Sequence, residues 1–186
     1  MIVVAGLIAI VFLVLVGLLS FNRFVRQRQL VENSWSNVDT ELKRRYDLIP
    51  NLVVTVKGYA AHEQSTLEAV IAARATALAS QGDVAVQAAD ENALVGALKQ
   101  VLALREAYPE LAASAQFLDL QQQLVTTEDR IQAARRFYNA NVRDYNTRVE
   151  TFPSRVVAAL GHFTPRPYFE VEPAIRDAGA PEVDLS

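Results

Sequence analysis

The apolar positions divide this chain into three stretches. From Ile2 to Leu19 they show no period at all: IVVAGLIAIVFLVLVGLL carries no charge and no hydrogen-bonding side chain. A helix of that length is roughly 27 Å long, about the hydrocarbon thickness of a bilayer. A cleaved signal peptide would start basic, carry a shorter apolar run and end on small residues. Here no Lys or Arg precedes the run, and Gly17-Leu18-Leu19-Ser20 is a poor cleavage site. A core helix would keep some polar face. The stretch therefore predicts an uncleaved transmembrane anchor over residues 1–22, meeting lipid through residues 2–19. Arg23, Arg26 and Arg28 follow with only Glu32 nearby. Basic residues favour the cytoplasmic side. The expected topology is single-pass in the cytoplasmic (inner) membrane, N-terminus outside and the remainder in the cytoplasm.

In the second stretch, residues 23–162, apolar residues recur at spacings of three and four, the signature of helices with one buried face. Phe24, Arg28, Val31, Trp35, Val38, Leu42 and Ile49 mark the first face. Pro50 disfavours α geometry at Ile49 and removes a donor. The first helix is therefore expected to end near Asp47, with a turn over 47–51; a kinked continuous helix is the alternative. A second helix is expected from about Leu48 to Ala79, with Leu52, Val56, Tyr59, Leu67, Val70, Ile71 and Leu78 as its stripe and Gly58 inside it. Ser80-Gln81-Gly82-Asp83 has turn chemistry. A third helix, about 86–107, carries Leu94, Leu98, Val101 and Arg105 and stops before Pro109.

The fourth and longest, about 111–151, places Phe117, Leu120, Leu124, Thr127, Ile131, Ala134, Tyr138, Asn141, Tyr145, Arg148 and Phe152 on one 3-4 seam. Pro153 ends it, a short helix over 154–160 can follow, and Gly161 can cap that. The third stretch, residues 163–186, contains Pro165, Pro167, Pro173 and Pro181 and reads as an extended or disordered tail. The expected fold class is all-α: a transmembrane helix, an up-and-down antiparallel four-helix bundle and a tail.

Composition narrows the chemistry. Cysteine is absent, which excludes disulfides, thiolate zinc sites and iron–sulfur clusters. The net charge of −3 argues against nucleic-acid binding. His62-Glu63 lacks the second His of a zincin, since position 66 is Thr, and neither His62 nor His162 has a Glu three residues before it. No nucleophile elbow, Walker sequence or dinucleotide loop is present. The reading is non-enzymatic, with no metal and no cofactor.

Two dense polar segments remain, residues 33–53 and 127–141. Most of their charges suit a solvated helix face with i,i+4 pairs. Asn141 and Tyr138, however, fall on the apolar seam and need partners. A structural polar cluster is expected where the first, second and fourth helices meet, built from Lys43, Arg44, Asp47, Asn51, Glu63, Glu128, Arg135 and Asn141. In it the Asp47 carboxylate would sit at a helix–turn junction.

LKRRYDLIPNLVVTVKGYAAHE, residues 42–63, resembles the signature of the LemA family. TEDRIQAARRFYNANVRDYNTRVETFPSRVVAALGHFTPRPYFE, residues 127–170, resembles that family's second block. The resemblance implies a membrane helix followed by an up-and-down helical bundle facing the cytoplasm. It supplies no catalytic residues, because no activity is established for the family. A magnetosome-associated branch suggests membrane organisation.

An anchored helical body without catalytic groups is suited to presenting a surface. The function expected is an interaction or scaffold module with an unidentified membrane-associated protein partner; the tether raises local concentration, so weak interfaces suffice. The runner-up is self-assembly into a homo-oligomer that organises membrane. An enzyme using Lys43, Asp47, Glu63 and Glu128 is the remote third reading.

Overall fold

The computed structural model describes residues 1–80 and 82–171. Among them are six helices and no strand: α1 (Ile2–Lys57), α2 (Gln64–Ala79), α3 (Val84–Ala107), α4 (Pro109–Ala112), α5 (Ala115–Glu150) and α6 (Ser154–Leu160). One of them, α1, is long and apolar enough to cross a membrane, and its apolar window is wholly unburied.

The first connection differs from the sequence reading. No turn occurs over 47–51; α1 runs through Pro50 to Lys57. Pro50 cannot donate to the Tyr46 carbonyl four residues earlier. That carbonyl instead accepts from Arg74 Nε of α2, at 2.7 Å. The proline is exposed, while Val38, Leu42, Arg45, Ile49, Leu52 and Val56 stay buried on the other side at unbroken 4-3 spacing. An external donor and an outward ring let the helix continue. The break falls at residues 58–63 instead, where Gly58 N is shared between Val54 O (3.3 Å) and Thr55 O (3.2 Å). The second helix thus begins at Gln64, not near Leu48, and Gly58 lies outside it. Tyr59, Ile71 and Leu78 of its expected stripe are exposed.

The later boundaries lie close to those expected. Asp83 caps α3, its carboxylate accepting from Ala85 N (2.8 Å) and Val86 N (3.3 Å). Gly82, at φ 110°, holds the left-handed conformation that glycine adopts at least cost. The segment expected to be one helix over 111–151 is divided by a turn into α4 and α5.

The chain forms two compact units. Unit 1 comprises Met1–Ser36 and Arg136–Tyr168; unit 2 comprises Asn37–Arg135 and the chain from Phe169. Unit 1 is held by aromatic packing. Phe24 stacks on Phe163 (centroids 4.7 Å apart) and meets Tyr145 edge-on, and Trp35 meets Tyr138 at 5.2 Å. Gly161 matters here as a close approach, because a Cβ would lie 2.5 Å from the Phe163 ring. The left-handed residue after α6 is His162, at φ 53°. Unit 2 buries a larger aliphatic core, with Leu42, Leu52, Val56, Leu94, Leu98, Leu111, Phe117, Leu124 and Ile131 excluded from solvent.

The tail is extended over 163–171, but it is docked. In unit 1, Tyr138 Oη donates to Pro167 O (3.0 Å). Asn146 grips the Arg166 peptide at both ends: Nδ2 donates to Arg166 O and Oδ1 accepts from Arg166 N, each at 2.8 Å. In unit 2, Phe169 and Val171 are buried, and Asn92 Nδ2 donates to Glu170 O (3.4 Å). The expectation for residues 172–186, Pro173 and Pro181 included, lies outside the described residues.

Candidate functional site

The strongest polar feature is buried in unit 2. On α1, Arg45 follows Leu42 by three positions and precedes Ile49 by four, which places a guanidinium on the apolar stripe. Glu91 of α3 stands three before Leu94, and Glu128 of α5 three before Ile131. Helical periodicity turns all three inward, and their residual exposures are 0%, 0% and 3%.

Inside, the three side chains meet. Arg45 Nη2 donates to Glu91 Oε2, and Nη1 donates to Glu128 Oε2 at 3.0 Å. Tyr46 Oη donates to Glu91 Oε1, and Gln132 Nε2 donates to Glu128 Oε1 at 2.5 Å. Each of the four carboxylate oxygens therefore has a donor, as buried charge requires. One cation faces two carboxylates, so the set is formally −1; the Arg45 Nε has no hydrogen-bond partner among the described residues. Burial, then the Glu91 charge, pushes the Tyr46 phenol well above its ordinary range. It stays a neutral donor. Saturated this way, the network presents no unengaged carboxylate oxygen to a substrate, and no group of three or more candidate metal ligands occurs among the described residues.

Of the residues expected to cluster, Glu128 alone enters this network. Lys43 is exposed and pairs with Asp39 at 2.6 Å; Arg44 reaches Glu41 at 3.4 Å on the same surface. Asp47 is exposed in the middle of α1, so the helix–turn junction proposed for its carboxylate does not exist. Asn51 is exposed, its carbonyl accepting from Thr55 Oγ1 at 2.8 Å. Glu63, before α2, accepts from Tyr108 Oη at 2.9 Å. That bond is the main cause of the raised Tyr108 pKa. Arg135 Nη1 donates to the Val171 carbonyl of the docked tail. Asn141 belongs to unit 1, half-buried, with its Nδ2 unpartnered among the described residues. The expected junction of the first, second and fourth helices gives way to a network of α1, α3 and α5, because the continuous α1 turns Arg45 inward and leaves Lys43 and Arg44 outside.

Arg45, Tyr46 and Glu91 were missed, although a signal existed. Each ionic member stands three or four positions from the leucines or isoleucines of a buried stripe, and the single cation and two anions on three such stripes are complementary. Unit 1 has its own polar groups on the α5 seam. Burial raises the Tyr138 and Tyr145 pKa values. Burial, then the Arg23 charge, lowers that of Arg148, which lies 5.9 Å from the Phe24 ring centre.

Comparison with known proteins bears on both units. The model of the LemA family matches residues 34–185. Magnetosome protein MamQ 2 of Paramagnetospirillum magneticum is 27% identical over 196 residues, covering 92% of this chain and 72% of that protein. Magnetosome protein MamQ of Magnetospirillum gryphiswaldense is 28% identical over 182 residues, with 84% and 67% covered. Protein LemA of Metamycoplasma hominis is 26% identical over 160 residues, with 79% and 70% covered.

Proposed function

This chain belongs to the LemA family, and from that premise we propose a single-pass membrane protein whose helical body is an interaction or scaffold module for a membrane-associated protein partner. The observation that carries this reading is α1. Its first part is apolar and uncovered, and the same helix continues without a break into the aromatic core of unit 1. A body begun by the anchor helix itself is held at the bilayer surface, where the tether raises the effective concentration of membrane partners. The buried ions support a structural role: all four carboxylate oxygens are engaged by Arg45, Tyr46 and Gln132, which suits fixing the register of packed helices in an up-and-down four-helix body. Arg23, Arg26 and Arg28 favour a cytoplasmic body with the N-terminus outside.

The chain has no native cysteine, so Ser65→Cys on the exposed surface of α2 gives a clean topology probe. Protection from an impermeant thiol reagent in intact cells, with labelling after lysis, is the expected result; labelling of intact cells refutes this orientation. Proximity labelling from the same body should enrich a membrane-associated partner. Relatives named as magnetosome proteins favour a second reading, in which copies of the chain assemble to organise membrane. Enrichment of this chain's own copies without another protein would select it over the scaffold.

A further inference from the structure

Unit 1 holds an open groove of about 610 Å³. One wall is the end of the apolar segment, Leu13, Val16, Gly17 and Ser20; the other runs from the end of α5 through α6, with Phe152, Val156 and Leu160 among its residues. These three are 83%, 53% and 79% exposed; Val156 and Leu160, four apart, share one face of α6, and Phe152 lies in the turn before it. From Thr151 to Phe163 there is no acidic residue; Arg155 and His162 are the titratable groups.

The position of this groove fixes its surroundings. If residues 2–19 span the bilayer, Leu13 lies roughly 9 Å inside the end of the span at 1.5 Å per residue. Residues sharing a groove with Leu13 and Val16 then lie at the depth of the headgroup–acyl boundary, where an interfacial helix buries its apolar face by about 5–10 Å. Water is a poor occupant for walls of Leu, Val and Phe at that depth. Continuity with the lipid-facing surface of the anchor points to acyl chains instead. Arg148 lines the groove beside Asp144, its Nε unpartnered among the described residues, and Arg155 has an alkyl stem that can lie in the interface with its charge outside.

We propose that the Phe152–Leu160 segment is a second membrane contact, inserted beside the anchor into the leaflet the anchor leaves, with lipid acyl chains filling the groove between them. This rests on the reading of residues 2–19 as a spanning helix. The test keeps the two apart. Single cysteines at Leu13, Val156, Leu160 and, as a control, the exposed Asp119 of unit 2 carry an environment-sensitive fluorophore on the full chain. The chain is reconstituted in phosphatidylcholine–phosphatidylglycerol vesicles, with and without lipids bearing a nitroxide near the headgroup. The expected result is a blue shift and a loss of fluorescence at 156 and 160 comparable to that at 13, with none at 119. Quenching at 13 without quenching at 156 and 160 overturns the second contact and leaves the anchor standing. No quenching at 13 overturns the anchor and the proposal with it. A blue shift at 156 and 160 that lipid nitroxide does not quench assigns the groove to protein, which also overturns it.

Discussion

The two units handle polar residues on a packing face in opposite ways. In unit 2, Arg45, Glu91 and Glu128 are removed from water and bonded to one another. In unit 1, Tyr138 and Asn146 bond to the backbone of the docked tail, and Arg148 and Asn141 remain half-buried. A buried charge set depends on every member: removing one leaves the others charged and without compensation. A side chain bonded to a peptide at a partly exposed edge can be replaced by water. Unit 2 should therefore be brittle to single changes and unit 1 forgiving.

Arg45→Met tests the brittle side most sharply. It strands two buried carboxylates and should cost about 3–5 kcal/mol of stability, read by chemical denaturation of the full chain in detergent. Replacing Arg45, Glu91 and Glu128 together by Met, Leu and Leu should recover most of that loss. A cost for Arg45→Met below about 1 kcal/mol, the range of exposed pairs, would erase the contrast between the units. On the forgiving side, Asn146→Ala removes both bonds to the Arg166 peptide. It should cost about 1–3 kcal/mol and speed hydrogen exchange at the Arg166 amide, while exchange in α3 is unchanged.

Alkaline pH apportions stability between the units. The unfolded phenol ionises near 10, whereas the folded Tyr46 keeps its proton to higher pH. Above about pH 10 the unfolded state then binds fewer protons, so stability falls as pH rises; below it this contribution is complete. Tyr46→Phe should flatten part of that fall, and Tyr138→Phe part of the share that Tyr138 and Tyr145 give unit 1. The smallest effect is expected at Lys43 and Arg44, whose surface pairs are each worth about 0–1 kcal/mol; alanine there should barely move the melting temperature.

Much of the fold was legible because helical periodicity is a local property. Along the expected seam, Phe117, Leu120, Leu124, Thr127, Ile131, Tyr138 and Tyr145 are buried, and Ala134, Asn141 and Arg148 half-buried; Phe152, beyond the end of α5, is exposed. Pro50 misled because its effect depends on a donor 24 residues later in the chain, Arg74, which no local rule reveals. For the polar cluster, of whose expected members only Glu128 enters the buried network, the choice on α1 turned on a shift of one position. Arg44 and Arg45 are chemically alike, and only the phase of an unbroken α1 decides which is inside. Docking of residues 163–171 was hidden for a third reason: an extended segment with prolines has no period, and its partners are side chains on distant helices.

The buried network also sets a timetable for folding. Glu91 lies 46 residues after Arg45, and Glu128 lies 83 after it. At about 5–20 residues per second, roughly 4–17 s separate synthesis of the arginine from that of its second acid. Before Glu91 is made, burial of the Arg45 guanidinium would be opposed by desolvation, because no carboxylate of the network is yet present. The complete set of bonds, and with it the register of α1 against α3 and α5, therefore requires all three segments of the chain.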